Sequence, residues 1–113
     1  MPTINRNAIV VTPLQPFLDW LHEIDPDNGD LTLEEIREEP SIYLFSECLN
    51  EEEAVARLRK FSKAIFEEEL DGWYTDRSVW PAKRDYHSFC RWFHWTYHSV
   101  IVDLASEPIE RET

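Results

Sequence analysis

The hydrophobic and polar positions of this chain follow a strand period in some segments and a helix period in others. Residues 8 to 12 (AIVVT) are a short β-branched run, which predicts a buried strand. The next segment has apolar side chains at i, i+3, i+4 and i+7, which predicts a helix with one apolar stripe: Phe17, Trp20, Leu21 and Ile24. Thr12 is predicted to cap this helix, with Pro13 at its first position and Gln15 completing a capping box.

The same patterns predict three further helices and two further strands. Thr32 and Glu35 form a capping box that opens a short helix before Pro40, and SIYLFSE (41–47) predicts a second strand. Asn50 begins a long helix that Gly72 closes. Its core stripe is predicted to be Ala54, Leu58, Phe61 and Ile65, flanked by Val55 and Phe66.

The last helix and strand share a segment rich in aromatic residues. Asp85 is predicted to cap a helix that begins at Tyr86, and HSVIVDL (98–104) predicts the third strand. The residues before His98 also favour a strand, which leaves open a beginning near Trp95. The rings between residues 89 and 97 are then expected to lie mainly in the core.

The predicted order of elements is β-α-α-β-α-α-β. Because strands joined through helices are typical of parallel sheets, this order predicts one compact α/β domain over residues 1–113, with a three-stranded, largely parallel sheet flanked by helices. Residues 88–104 are expected at the centre of the sheet. The segments 1–6 and 106–113 are expected to be frayed.

Composition and charge limit the class of protein. With 113 residues, 42% of them hydrophobic, the chain can form a core and is expected to need neither a cofactor nor a metal to fold. A formal charge of −12 argues against nucleic acid as a partner, and no apolar run is long enough to predict a membrane span. Cys48 and Cys90 are predicted to be free thiols in a reducing cytoplasm. The acidity indicates either solubility or a partner with a basic surface.

The loop DPDNGDLTLEE resembles a calcium-binding loop in composition. Counted from Asp25, however, Gly29 is fifth and Glu35 is eleventh, one short of the sixth and twelfth positions of an EF-hand. Asp, Asn and Gly are also the residues that a turn between helices selects. The sequence therefore predicts that Asp25, Asp27 and Glu35 do not form a working calcium site.

A second candidate site consists of His87, Cys90 and His94, which would share one face of a helix with His98. Four ligands on successive helical turns cannot surround one ion, since the outer two would be about 16 Å apart along the axis. Two of them with a ligand from elsewhere could bind zinc, and Cys90 with His94 could form a thiolate pair. A small metal- or thiol-dependent enzyme using His87, Cys90 and His94 is therefore the alternative functional hypothesis.

The segment DGWYTDRSVWPAKRDY (71–86) is irregular, aromatic and locally basic. Trp, Tyr and Arg dominate the energetics of protein interfaces, and bases here could pair with acids on a partner. This predicts a partner-binding site composed of Trp73, Tyr74, Arg77, Trp80 and Arg84. The competing structural interpretation is that the aromatic side chains close the edge of the core, with Trp80 anchored by Pro81.

Several segments together resemble a family of small, acidic, uncharacterised bacterial proteins. They are VVTPLQPFLDWL, IYLFSE, FEEELDGW, the WP pair at residues 80 and 81, and FCRWF leading into HSVIVDL. The resemblance implies a bacterial cytoplasmic setting and brings no activity, substrate or ligand residue. The leading functional hypothesis is a non-enzymatic, acidic protein-binding module that acts as an adaptor or inhibitor.

Overall fold

A computed structural model describes residues 2–112, in which helices pack on one face of a three-stranded sheet. In chain order the elements are β1 (Arg6–Pro13), α1 (Gln15–Ile24), α2 (Leu33–Ile36), β2 (Ser41–Ser46), α3 (Glu51–Asp71), α4 (Tyr86–Trp92) and β3 (Phe93–His98). Short 3₁₀ turns lie at Pro26–Asn28 and Arg77–Val79.

The strand order is β2-β1-β3 and both strand pairs are antiparallel, so the prediction of a largely parallel sheet is wrong. The expected position of residues 88–104 at the centre is also wrong, because β1 is the central strand. The reason lies in the connection from β1 to β2. Val11 lies opposite Ser41, so the chain leaves and returns at the same end of the sheet. The segment between the two strands, which contains α1 and α2, therefore returns the chain to the end of β1 from which it left, whereas a parallel pair would require a return to the opposite end.

The two faces of the sheet have different surroundings. Ile9 and Val11 of β1 are buried under the helices, and Tyr43, Phe45 and Trp95 pack partly buried beside them. Directly opposed residues of antiparallel strands share a face. The alternate residues therefore form an open face, which includes the exposed side chains Ile42, Leu44, Thr96 and His98.

The core is built mainly from aromatic rings. Phe17, Phe66, Phe89 and Phe93 are fully buried, and the Phe66 and Phe93 rings meet edge to face at 5.1 Å. The large residues after position 88 therefore mostly serve packing. In α3, Ala54, Leu58 and Ile65 are buried as predicted. Phe61 is instead 42% exposed, so its assignment to the core stripe is wrong.

Three of the predicted helix caps are confirmed. The Asn50 side chain accepts from the Glu53 N–H at 2.9 Å, and the Asp85 side chain accepts from the Ser88 N–H at 2.8 Å. Thr32 and Glu35 form a capping box. Gly72 is the C-cap of α3.

The predicted cap of α1 is wrong, because Thr12 and Pro13 belong to β1. They lie opposite His94 and Phe93, so pairing within the sheet extends the strand through the proposed cap. The N-cap is Leu14, whose side chain has no polar atom, and the proline at the helix start is Pro16.

The third strand, β3, comprises residues 93–98 instead of the predicted 98–104. It begins directly after α4, with no intervening loop. Beyond it, Val102 forms an isolated bridge with Thr3, and the Ile4 N–H donates to the Ile101 carbonyl at 2.9 Å. Residues 2–4, which were expected to be frayed, are therefore paired with the segment after β3. Residues 106–112 are exposed, and residues 1 and 113 lie outside the described part of the chain.

A buried asparagine joins the ends of the two outer strands. The Oδ1 atom of Asn7 accepts from the Cys48 N–H at 2.7 Å and from the Tyr97 hydroxyl at 3.0 Å. Its Nδ2 atom donates to the Ser99 carbonyl at 3.1 Å. Because buried polar groups are costly when unpaired, these three bonds fix where the chain leaves β2 and β3.

Candidate functional site

The predicted partner-binding segment is held against the body of the protein by its aromatic residues. Trp80 is only 8% exposed, and its Nε1–H donates to the Tyr74 carbonyl at 2.7 Å. The Tyr74 hydroxyl donates to the Asp25 carboxylate, and this hydrogen bond to an acid raises the pKa of Tyr74. Trp20 also donates to the Val79 carbonyl, at 2.8 Å. The core therefore contains Trp80.

The arginines of that segment are paired within the molecule. The guanidinium carbons of Arg77 and Arg84 lie 4.7 and 5.7 Å from the centre of the Trp80 ring. Both side chains contact the same carboxylate oxygen of Glu67, Arg84 at 2.9 Å and Arg77 at 3.5 Å. Trp73, which is 43% exposed, is the aromatic residue of the predicted set that is most available to a partner.

The structure does not place His87, Cys90 and His94 on one helix. The α4 helix ends at Trp92, so His94 lies in β3 on the open face of the sheet. All three side chains are exposed. Within residues 2–112, no group of three or more His, Cys, Asp or Glu side chains is arranged to hold a metal ion.

The acidic loop after α1 uses its carboxylates for local hydrogen bonds. One oxygen of Asp25 accepts from the Asp27 N–H at 3.0 Å, and the other accepts from the Asn28 amide at 3.2 Å and from Tyr74. Glu35 is engaged in the capping box with Thr32. These contacts are those of a turn stabilised by its own side chains.

The outer edge of β2 is the most distinctive surface of the fold. Because β2 is the first strand in the order β2-β1-β3, no other described strand pairs with this edge. Its sequence, SIYLFS, contains no charged residue. Ile42 is 66% exposed and Leu44 is 49% exposed on the open face. Natural edge strands are usually protected by charges, proline or a bulge.

A groove of about 550 Å³ separates one half of this edge from α3. The β2 wall consists of residues 43–46, and the α3 wall is a stripe of side chains at helical spacing: Arg57, Phe61, Ala64 and Glu68. Three arginines line the groove against a single glutamate: Arg6, Arg57 and Arg111. We call this the arginine groove.

A second cleft, of about 580 Å³, lies beside the other half of the β2 edge. It is lined by residues 41–43 of β2, by Trp73, and by five glutamates: Glu35, Glu38, Glu39, Glu68 and Glu69. We call this the glutamate cleft. The Tyr43 hydroxyl donates to Glu69, and burial together with this bond raises the pKa of Tyr43 well above its usual value. The two halves of the β2 edge therefore lie beside clusters of opposite charge.

The sequence-based reasoning missed this edge. The sequence pattern predicts a strand at 41–47 but does not predict its place at the edge of the sheet. The available signal was the stripe on α3, because Arg57, Phe61, Ala64 and Glu68 repeat at i, i+4, i+7 and i+11 beside the buried stripe. A partly apolar stripe on the solvent side of a helix indicates a further contact.

No known protein family, curated protein or solved structure matches this chain. In the described part of the chain, every helix is too short or too polar to cross a membrane.

Proposed function

We propose that this protein is an acidic protein-binding module, an adaptor or inhibitor, that takes an extended segment of a protein as an additional strand on the β2 edge. The observation that carries the proposal is an uncharged edge that no strand within residues 2–112 pairs with, and that has a groove or cleft beside each half of it. An edge of this kind offers backbone N–H and C=O groups to an incoming segment, which is a recurrent mode of peptide recognition.

Affinity in this mode comes from backbone hydrogen bonds, and specificity comes from side-chain pockets beside the strand. Phe45 and Phe61 supply apolar contact in the arginine groove, and Trp73 supplies an aromatic wall in the glutamate cleft. The bound segment is therefore expected to be apolar in its middle, acidic where it passes the arginine groove and basic where it passes the glutamate cleft.

The proposal changes the roles within the predicted partner-binding site. Trp73 remains a proposed contact residue, because it lines the glutamate cleft. Tyr74, Arg77, Trp80 and Arg84 support that cleft by holding the segment after α3 in place. We further propose a bacterial cytoplasmic setting, which is supported by the free thiols of Cys48 and Cys90 and by the family resemblance.

The proposal is tested by selecting ligands from a phage-displayed library of random peptides against the protein immobilised at low density. The enriched peptides are then synthesised with a fluorophore, and their binding is measured by fluorescence anisotropy. Leu44→Lys puts a charge on the β2 edge, whereas Thr96→Lys puts the same charge on the open face of β3.

We expect the selected peptides to bind the wild type and Thr96→Lys equally, and to bind Leu44→Lys at least about tenfold more weakly. A library that yields no ligand would contradict the proposal, as would peptides that bind Leu44→Lys as well as the wild type.

A further inference from the structure

We propose that the segment taken by the β2 edge is the β2 strand of a second copy of this chain, which gives a two-fold symmetric dimer with a continuous six-stranded sheet. The inference rests on the proposed function, since it names the partner of the same edge. Two-fold dimers are the commonest protein assemblies, and in them one surface patch must be complementary to itself.

The charges beside the β2 edge meet this requirement. The arginine groove lies toward Ser46, and the glutamate cleft lies toward Ser41. When two β2 strands pair antiparallel, the Ser46 end of each copy lies against the Ser41 end of the other. Each arginine groove then faces the partner's glutamate cleft, so both ends of the interface are attractive. A parallel arrangement would bring like charges together.

The pleat restricts how the two strands can align. Opposed residues of an antiparallel pair share a face, so the two-fold axis passes beside a residue and not between two. The overlap of the two strands is largest when that residue is Tyr43 or Leu44. With Tyr43 at the axis, Ile42 lies opposite the other copy's Leu44. With Leu44 at the axis, the two Leu44 side chains lie opposite each other and Tyr43 lies opposite Phe45. In both registers the exposed aliphatic side chain of Leu44 gains an apolar neighbour.

The outer edge of β3 is less suited to such pairing. It carries His94 and His98, both exposed, and it begins directly at the end of α4. The β2 strand contains no charged side chain, and its six residues have the β-forming, uncharged character of segments that associate edge to edge. The β2 strand of a second copy would cover most of this edge.

Sedimentation velocity of the full chain tests the inference directly, over a series from about 1 to about 100 µM. We expect the wild type to reach twice the 13.5 kDa mass of one chain. We expect Leu44→Lys to raise the dissociation constant at least about tenfold, and Thr96→Lys to leave it unchanged. Far-UV circular dichroism of each variant confirms that it is folded.

Charge reversal provides a second, independent measurement. Arg57→Glu leaves the arginine groove with two arginines and two glutamates and so removes its positive charge. Glu39→Arg replaces an acid of the glutamate cleft by a base. Each variant alone is expected to dissociate more readily than the wild type. An equal mixture of the two is expected to associate more strongly than Arg57→Glu alone, because one contact of the heterodimer then joins an unaltered arginine groove to an unaltered glutamate cleft.

Three results would overturn the inference: a wild type that stays monomeric throughout the series, a dimer that persists in Leu44→Lys, or a Thr96→Lys variant that dissociates equally. Failure of the mixed charge variants to associate would also overturn it. These results leave the proposed function separately testable. A monomeric protein that still binds selected peptides at the β2 edge retains that function with a different partner.

Discussion

Replacing Trp80 by alanine removes the side chain that anchors the segment after α3. The indole donates to the Tyr74 carbonyl, and its ring contacts the guanidinium groups of Arg77 and Arg84, which are both paired with Glu67. The alanine variant would lose this packing and would leave a space beneath the two arginines.

The magnitude follows from the burial and contacts of Trp80. Truncating a buried aromatic residue to alanine costs about 3–5 kcal/mol. Loss of the indole hydrogen bond alone costs about 0.5–1.5 kcal/mol, and each ring contact with an arginine about 0.5–1 kcal/mol. We expect Trp80→Ala to lower the free energy of unfolding by about 3–5 kcal/mol, and Trp80→Phe, which keeps a ring, by about 1–3 kcal/mol.

Urea denaturation followed by far-UV circular dichroism measures these differences. Trp73→Ala is the matched control, because Trp73 is 43% exposed in the same segment, and it is expected to cost less than about 1 kcal/mol. The reasoning is refuted if Trp80→Ala unfolds at the same urea concentration as the control. It is also refuted if Trp80→Phe costs as much as Trp80→Ala, since the ring would then contribute nothing.

Three further predictions concern the polar contacts of the fold. Asn7→Ala removes three partly buried hydrogen bonds of a buried side chain, and we expect it to lower the free energy of unfolding by about 2–4 kcal/mol in urea denaturation. The exposed Asn5→Ala is expected to cost less than about 0.5 kcal/mol, and equal costs would show that these bonds do not hold the strand ends. The hydrogen bond from the Ser88 N–H lowers the pKa of Asp85. The contribution of Asp85 to stability is therefore complete above its ordinary pKa of about 4 and is lost as the pH falls through the lower folded value. Asp85→Asn keeps a capping side chain that does not titrate, and we expect its urea midpoint to fall less than that of the wild type between pH 6 and pH 3; parallel curves would contradict this sign. Calcium titration calorimetry is expected to give no saturable heat, because both oxygens of Asp25 already accept hydrogen bonds, and a one-to-one isotherm abolished by Asp25→Ala would refute this.

The local signals in the sequence were reliable because they depend on residues three or four positions apart. Asn50 and Asp85 cap their helices through a backbone N–H three residues on, and that geometry exists as soon as the first turn forms. The failure at Thr12 shows the limit of such signals. Its pairing with His94, more than eighty residues away, decided that it belongs to a strand.

Phe61 shows a similar limit within one helix. Phe61 and Ser62 are about 100° apart around the helix axis. A prediction of the buried stripe from apolar spacing therefore includes Phe61 and leaves out Ser62. The buried side of α3 instead follows Ser62, Phe66 and Leu70, because that side faces the sheet. The β2 edge could not be predicted for the same reason. Which strands become neighbours depends on where the segment between β1 and β2 leads the chain, and no residue of β2 records that path.

The direct junction between α4 and β3 has a consequence for how this chain tolerates changes in length. Trp92 is the last helical residue and Phe93 is the first residue of the strand, so the backbone changes from the helical to the extended conformation within one peptide unit. One residue inserted there would shift the alternation of the strand, turning Trp95 and Tyr97 outward and two histidines into the core. The spacing across positions 92 and 93 is therefore fixed more strictly than the identity of most side chains around it.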